Sequence, residues 1–268
     1  MMTIKNYVRP QTLEEAWQLN QKRGSRILGG MLWLKMGKRR VQTAIDLSDL
    51  GLNTIEETED SFSIGCMVSL RDLELHPGLA RYTCGAMKEA LRHIVGVQFR
   101  NLATVGGSIA GRFGFSDVLT MFLALDSYVE LYKGGLVPME TFASTGCGTD
   151  ICVRIIVRKT PMAVTYHSVR NTATDFPVLA CAVSRQLSDK GDSWKCSIGA
   201  RPARAMLLRD ETKLLSGEIT AEIADLFGDY AAGQVPTSSN MRGSAAYRSH
   251  LVKVLASRSI LELGGISI

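Results

Sequence analysis

The sequence predicts a chain of mixed helices and strands in two domains, and three observations carry that prediction. At 268 residues it is about the length at which a single core begins to divide. Helical and strand periodicities alternate along the first part, and strands gather beyond Val129. Two strand-like runs, 151–157 and 163–169, are separated by the turn signal Lys159-Thr160-Pro161, so a domain boundary is expected near residue 160, with 1–160 before it and 161–268 after. A hydrophobic share of 46% against 21% charged residues supplies a large core and gives no reason to expect disorder.

Element by element, Pro10 and Thr12 open a helix in which Thr12 and Glu15 have capping-box spacing and Leu13, Ala16 and Trp17 share a face. Residues 26–28 form an extended run broken by Gly29 and Gly30, and 43–47 form a strand, so the opening is β-α-β-like. A strand is expected at 61–67. Ser69 and Asp72 then cap a helix that ends near His76-Pro77-Gly78. Met87, Ala90, Leu91 and Ile94 mark a second helix. The glycine-rich segment 101–114 follows, and 118–125 is apolar enough for a buried helix. Beyond the turn at 159–161, strands are expected at 179–183 and 194–198, a helix near 205–215, and a closing amphipathic helix through Tyr247, Leu251, Val254, Leu255 and Arg258.

Several function classes are excluded. A formal charge of +5 is small for this length, and the one basic run, Lys35, Lys38, Arg39 and Arg40, reads as a solvated loop without the interleaved aromatics of a nucleic-acid platform. The start, MMTIKNYVRP, lacks an apolar signal core, and no stretch approaches the roughly 18 apolar residues of a spanning helix. Six cysteines without a CxxC pair suggest reduced thiols and a cytoplasmic setting. Cys147 and Cys152 flank a glycine-containing loop and are either a redox pair or ordinary buried thiols. The four histidines, His76, His93, His167 and His250, lack metal-ligand spacing. There is no GxGxxG after a strand, no P-loop, no GxSxG elbow and no HExxH helix.

What remains is two glycine pairs, Gly29-Gly30 in RILGGMLWL and Gly106-Gly107 in RNLATVGGSIAG. Glycine lets backbone approach a ligand closely, so successive N–H groups can converge on phosphate oxygens, and two such loops could hold a pyrophosphate between them. Paired glycines also mark plain turns.

The run Val97-Gln98-Phe99-Arg100-Asn101-Leu102-Ala103-Thr104-Val105-Gly106-Gly107-Ser108-Ile109-Ala110 resembles the Q-I-R-N-V-A-T-I-G-G-N-I-A segment of the FAD-binding medium subunits of the xanthine dehydrogenase and carbon monoxide dehydrogenase family, the molybdenum hydroxylases. Asp117 before Val118-Leu119 matches an aspartate that family carries ahead of an apolar helix. ILGGMLWLKM resembles its A-G-G-T-D-L-L-x-x-M turn, IDLSDLGLNTIE the strand after it, and residues 199–205 and 241–248 its C-terminal domain. The likeness spans nearly the whole chain.

The resemblance implies an α+β fold: a PCMH-type FAD-binding domain in two lobes, about 1–52 and 53–160, followed by a small α/β C-terminal domain. It implies partners, a molybdopterin-binding large subunit and a 2Fe–2S small subunit, with electrons passing through FAD to NAD or another acceptor. It implies that the backbone of Leu28, Gly29, Gly30, Met31 and Leu32 and of Thr104, Val105, Gly106, Gly107 and Ser108 wraps the FAD pyrophosphate. Asp117 would bind a ribose or nearby hydroxyl, and Ile151 would lie against the flavin ring. The sequence departs from the family at Met31-Leu32, where small polar residues are usual, and at Ser108, where asparagine is common. Phe113-Gly114-Phe115-Ser116-Asp117 replaces Ser-Pro-x-x-Asp, and His167-Ser168 stand where a lysine is often found. Met31 and Phe113 suggest an alternative, an assembly subunit that keeps the fold without productive flavin binding.

Overall fold

The structure is a computed structural model that describes residues 2–188 and 191–265. In chain order its first elements are β1 (Thr3–Val8), α1 (Leu13–Asn20), β2 (Ser25–Leu28), β3 (Arg40–Asp46), β4 (Ile55–Glu57), β5 (Ser61–Gly65), α2 (Leu70–Leu75), α3 (Pro77–Tyr82), α4 (Ala86–Arg92), α5 (Val97–Leu102) and α6 (Val105–Gly111). Then come α7 (Asp117–Ala124), β6 (Ser127–Leu131), β7 (Gly135–Pro138), α8 (Met139–Thr145), β8 (Cys152–Arg158), β9 (Met162–Arg170), β10 (Pro177–Gln186), β11 (Ser193–Gly199), β12 (Met206–Arg209), α9 (Ala221–Gln234) and α10 (Ala245–Gly264). By compactness these form two units. Residues 1–73, 97–111 and 127–158 make one; 74–96, 112–126 and 159–268 make the other.

The first unit holds a three-stranded sheet, β1-β3-β2, and a five-stranded sheet, β4-β5-β8-β6-β7. Both β1 and β2 run parallel to β3, α1 carrying the chain from β1 to β2 and residues 29–39 crossing from β2 to β3. Thr12 caps α1 by accepting the Glu15 N–H, and the Glu15 carboxylate reaches back to the Gln11 N–H at 2.8 Å. The box therefore closes one residue earlier than the usual form. β1 was not foreseen, because its side chains are all exposed or half-buried and give no apolar alternation; pairing with β3 makes it a strand.

In the second unit an antiparallel sheet, β12-β11-β10-β9, is covered on both faces. Leu179, Cys181, Val183, Cys196 and Ile198 join the core cluster that includes Phe227 of α9 and Val252 and Leu255 of α10. Smaller residues serve α7: Ser184 donates to the Ala124 carbonyl at 2.5 Å, and a Cβ on Gly199 would stand 2.0 Å from Thr120 Oγ1. Burial on both faces explains why β10 reads as a continuous apolar run. All eight residues of α7 are buried, as its sequence predicts.

Three other expectations needed correction. The helix near 205–215 is strand β12, paired with β11 from Lys195↔Arg209 to Ile198↔Met206, and a 3-10 turn at Leu214–Ser216. Met206-Leu207-Leu208 is too short for its period to separate helix from strand, and the open edge of β11 decides. Helices α8 and α9 were unforeseen. Gly106 and Gly107 lie inside the helical turn α6 and not in a loop.

Candidate functional site

In the first unit the two glycine pairs come together. A Cβ built on Gly30 would stand 1.8 Å from the Leu102 carbonyl oxygen and 3.0 Å from Ala103 Cα. One built on Gly29 would be 2.6 Å from Thr104 Oγ1 and 3.3 Å from Gly107 Cα. Glycine is thus required here for backbone to pack on backbone, a reason that precedes any ligand. Trp33 and Phe99, with ring centroids 5.4 Å apart, join the same two segments; such pairs contribute about 0.5–1.5 kcal/mol. Sequence reading missed this clamp, although Phe99 lies inside the segment that carries the family likeness.

The N–H groups of the two segments differ in availability. Residues 103–106 lie along 66–70: Leu70 donates to the Ala103 carbonyl at 2.8 Å, Val105 to Val68 at 2.9 Å and Gly106 to Cys66 at 2.8 Å. Gly107 donates to Thr104 Oγ1 at 3.1 Å and Ser108 to the Thr104 carbonyl at 3.0 Å. The N–H groups of Gly30, Met31 and Leu32 have no hydrogen-bond partner among the described residues. Met31 has φ +58°, a conformation uncommon for a long side chain. Consecutive unpaired N–H groups around a left-handed residue form the concave donor set that binds phosphate oxygens.

Ile151 belongs to the same unit and is fully buried beside the five-stranded sheet, its carbonyl accepting the Tyr132 N–H at 3.0 Å. Asp117 belongs to the second unit. The N-cap of α7 is Ser116, whose hydroxyl accepts the Leu119 N–H, so Asp117 is free of that duty. Its carboxylate, 4% exposed, accepts from Arg170 at 2.7 Å and from the Tyr166 hydroxyl. Burial pushes the Asp117 carboxyl up from its ordinary range against the pull of Arg170, and burial pushes the Tyr166 hydroxyl well up.

The family model described as the FAD binding domain in molybdopterin dehydrogenase matches residues 2–159, and the CO dehydrogenase flavoprotein C-terminal domain matches 164–263. The chain belongs to this flavoprotein family. FAD is the cofactor of that family, and the molybdenum-hydroxylase likeness read from the sequence is correct. The nicotine 6-hydroxylase medium subunit of Paenarthrobacter nicotinovorans is 27% identical, over 96% of this chain and 96% of that subunit. The glyceraldehyde dehydrogenase medium chain of Sulfolobus acidocaldarius is 24% identical over 96% of this chain and 98% of its own length. In fold, the chain matches a structure of reconstituted CO dehydrogenase from Oligotropha carboxidovorans with a TM-score of 0.88 at 20% identity, over 98% of both chains. Quinoline 2-oxidoreductase from Pseudomonas putida 86 matches with a TM-score of 0.85 at 20% identity, over 97% of this chain and 96% of that one.

For a flavoprotein of this family the donor set at 30–32 fits the diphosphate of FAD, since open backbone N–H groups suit an anion without any side-chain charge. The second unit adds a cavity of about 240 Å³ lined by Phe115, Phe176, Pro177, Pro202, Asn240 and Arg242. Phe115 and Phe176 meet at 4.2 Å, and the Arg242 guanidinium lies 4.8 Å from the Phe176 ring centre. Asp175 holds Arg242 at 2.9 Å, and its own carbonyl accepts from Arg170, the partner of Asp117, at 2.6 Å. Sequence reading named Phe115 only as a departure from the family pattern and gave none of these residues a site role; the signal was an aromatic beside glycine or proline in Phe113-Gly114-Phe115 and Phe176-Pro177. Cys152 gains no reactivity from its setting, because burial pushes its thiol well up.

Proposed function

We propose that this chain is the flavin subunit of a molybdenum-hydroxylase complex, receiving electrons from the 2Fe–2S clusters of a small subunit and passing them to NAD or another soluble acceptor. A molybdopterin-binding large subunit would carry the substrate chemistry. The observation that carries the reading is the row of open N–H groups at Gly30, Met31 and Leu32, beside the close backbone approach of Gly30 to Leu102 at the end of α5. The chemistry FAD supplies when bound is exchange between one-electron and two-electron carriers. The chain's own part is to bind the diphosphate through 28–32, with Thr104, Val105, Gly106, Gly107 and Ser108 as the support against which that loop is pressed. Asp117 enters this reading as the anchor of Arg170 in place of a hydroxyl ligand, and Ile151, fully buried, as a packing residue beside the five-stranded sheet. The division near residue 160 is retained, supported by family matches that end at 159 and resume at 164. A cytoplasmic setting is supported by six free cysteines.

The test is the visible absorbance spectrum of the purified chain, with the flavin identified after denaturation, together with affinity purification of its partners. Flavin bands, released FAD and co-purifying molybdenum and iron–sulfur subunits are the expected result. A folded, colourless chain that also fails to take up added FAD would overturn the reading and favour the flavin-free assembly role.

A further inference from the structure

Met31 stands where the family usually has a small polar residue, and its geometry gives a reason for the exchange. Its backbone is left-handed, φ +58°, which a glycine would adopt without strain. Its thioether chain offers no donor to a phosphate. What the side chain does is pack, together with Leu34 and Met2, against the small cluster of Leu28, Val41 and Ala44 under the loop. The Met31 carbonyl accepts the Lys35 N–H at 3.0 Å, which ties the open N–H row of 30–32 to the 3-10 turn at Leu34–Met36. On the other side, Gly30 is pressed against Leu102.

We infer that Met31 is a positioning residue for the diphosphate of FAD: its half-buried side chain, packed on the cluster under the loop, holds the loop backbone in the binding conformation before the ligand arrives. This rests on the reading of 30–32 as the diphosphate site. Preformation raises affinity because a loop that is competent only part of the time binds weaker by that fraction. It also assigns Met31-Leu32 to tight binding in this chain, where the exchange of polar for apolar residues suggests loss.

The test uses the full chain stripped of flavin, as wild type and as Met31→Leu, Met31→Gly and Met31→Ala, each first shown to be folded by its urea midpoint. Two quantities are read: the FAD dissociation constant from flavin fluorescence, and the rate of trypsin cleavage after Lys35, Lys38, Arg39 and Arg40 without flavin. Leucine fills the anchor site and should match wild type in both. Glycine and alanine should bind FAD about tenfold more weakly and be cut about tenfold faster, with alanine the worse because it keeps the strain and loses the anchor. Met31→Gly binding as tightly as wild type, or tighter, with no faster cleavage would overturn the inference, since relief of strain would then outweigh the side chain. A wild-type chain that is well protected from trypsin yet binds no FAD would instead overturn the site reading on which it rests.

Discussion

Replacing Gly30 by alanine tests whether the two glycine segments are built to touch. The new Cβ would meet the Leu102 carbonyl oxygen at 1.8 Å and its carbon at 2.5 Å. Ordinary carbon–oxygen contacts begin near ~3.3 Å, so the segments must part by about 1.5 Å. Both sides are backbone, so no rotamer change relieves the clash, and the loss belongs at the upper end of overpacking, about 3 kcal/mol. Gly29→Ala meets a hydroxyl, Thr104 Oγ1, that moves only by giving up the Gly107 N–H, and should lose about 1–2 kcal/mol. Gly233→Ala is the control: nothing lies within 4 Å in helix α9, and it should gain about 0.5–1 kcal/mol. Urea titration of the flavin-free chain gives all three from the midpoints at a common slope. FAD affinity measured beside them should fall for Gly30→Ala and stay level for Gly233→Ala. A Gly30→Ala midpoint equal to wild type would refute the packing argument.

Other outcomes follow from the second unit. Asp117→Asn keeps a partner for Tyr166 but leaves Arg170, 6% exposed, without its carboxylate, and should destabilise by about 3 kcal/mol; a urea midpoint unmoved by the substitution would remove the ion pair from the account of stability. Arg248, 1% exposed, donates to the carbonyls of Val178, Ser238 and Gly243 and to Asn240 Oδ1. Arg248→Lys cannot reach four acceptors from one ammonium, so it should destabilise by about 3 kcal/mol and expose Arg242 to trypsin; unchanged cleavage there would mean the loop is held by something else. The hydrogen bond from Arg242 holds the Asp175 carboxyl below its usual range. Its contribution is therefore present above an unfolded value of about 3.9 and is lost as pH falls through the lower folded value, so Asp175→Asn should flatten the acid limb of stability against pH. An identical limb in both proteins would show that Asp175 has no part in it.

The sequence carried the fold well where side-chain pattern is itself the cause of structure. The cap at Thr12 and Glu15, the apolar run that becomes α7, and the turn at 159–161 each act through neighbours in the chain, and each was readable there. It misled where a distant segment decides: β12 is a strand because β11 has an open edge, and exposed β1 because β3 lies beside it.

For the site, the sequence by itself determined the family and cofactor, and it singled out Gly29-Gly30 and Gly106-Gly107, whose segments the fold brings together. Only the tertiary structure decided what those glycines do. Gly106 pairs its N–H with Cys66 and Gly30 bears on Leu102, so one segment is support and the other keeps its donors open. It also turned Asp117 inward, to Arg170 and Tyr166. The physical reason is common to both: a hydrogen-bonding group's role depends on which partner reaches it first in space, and chain order does not encode that distance.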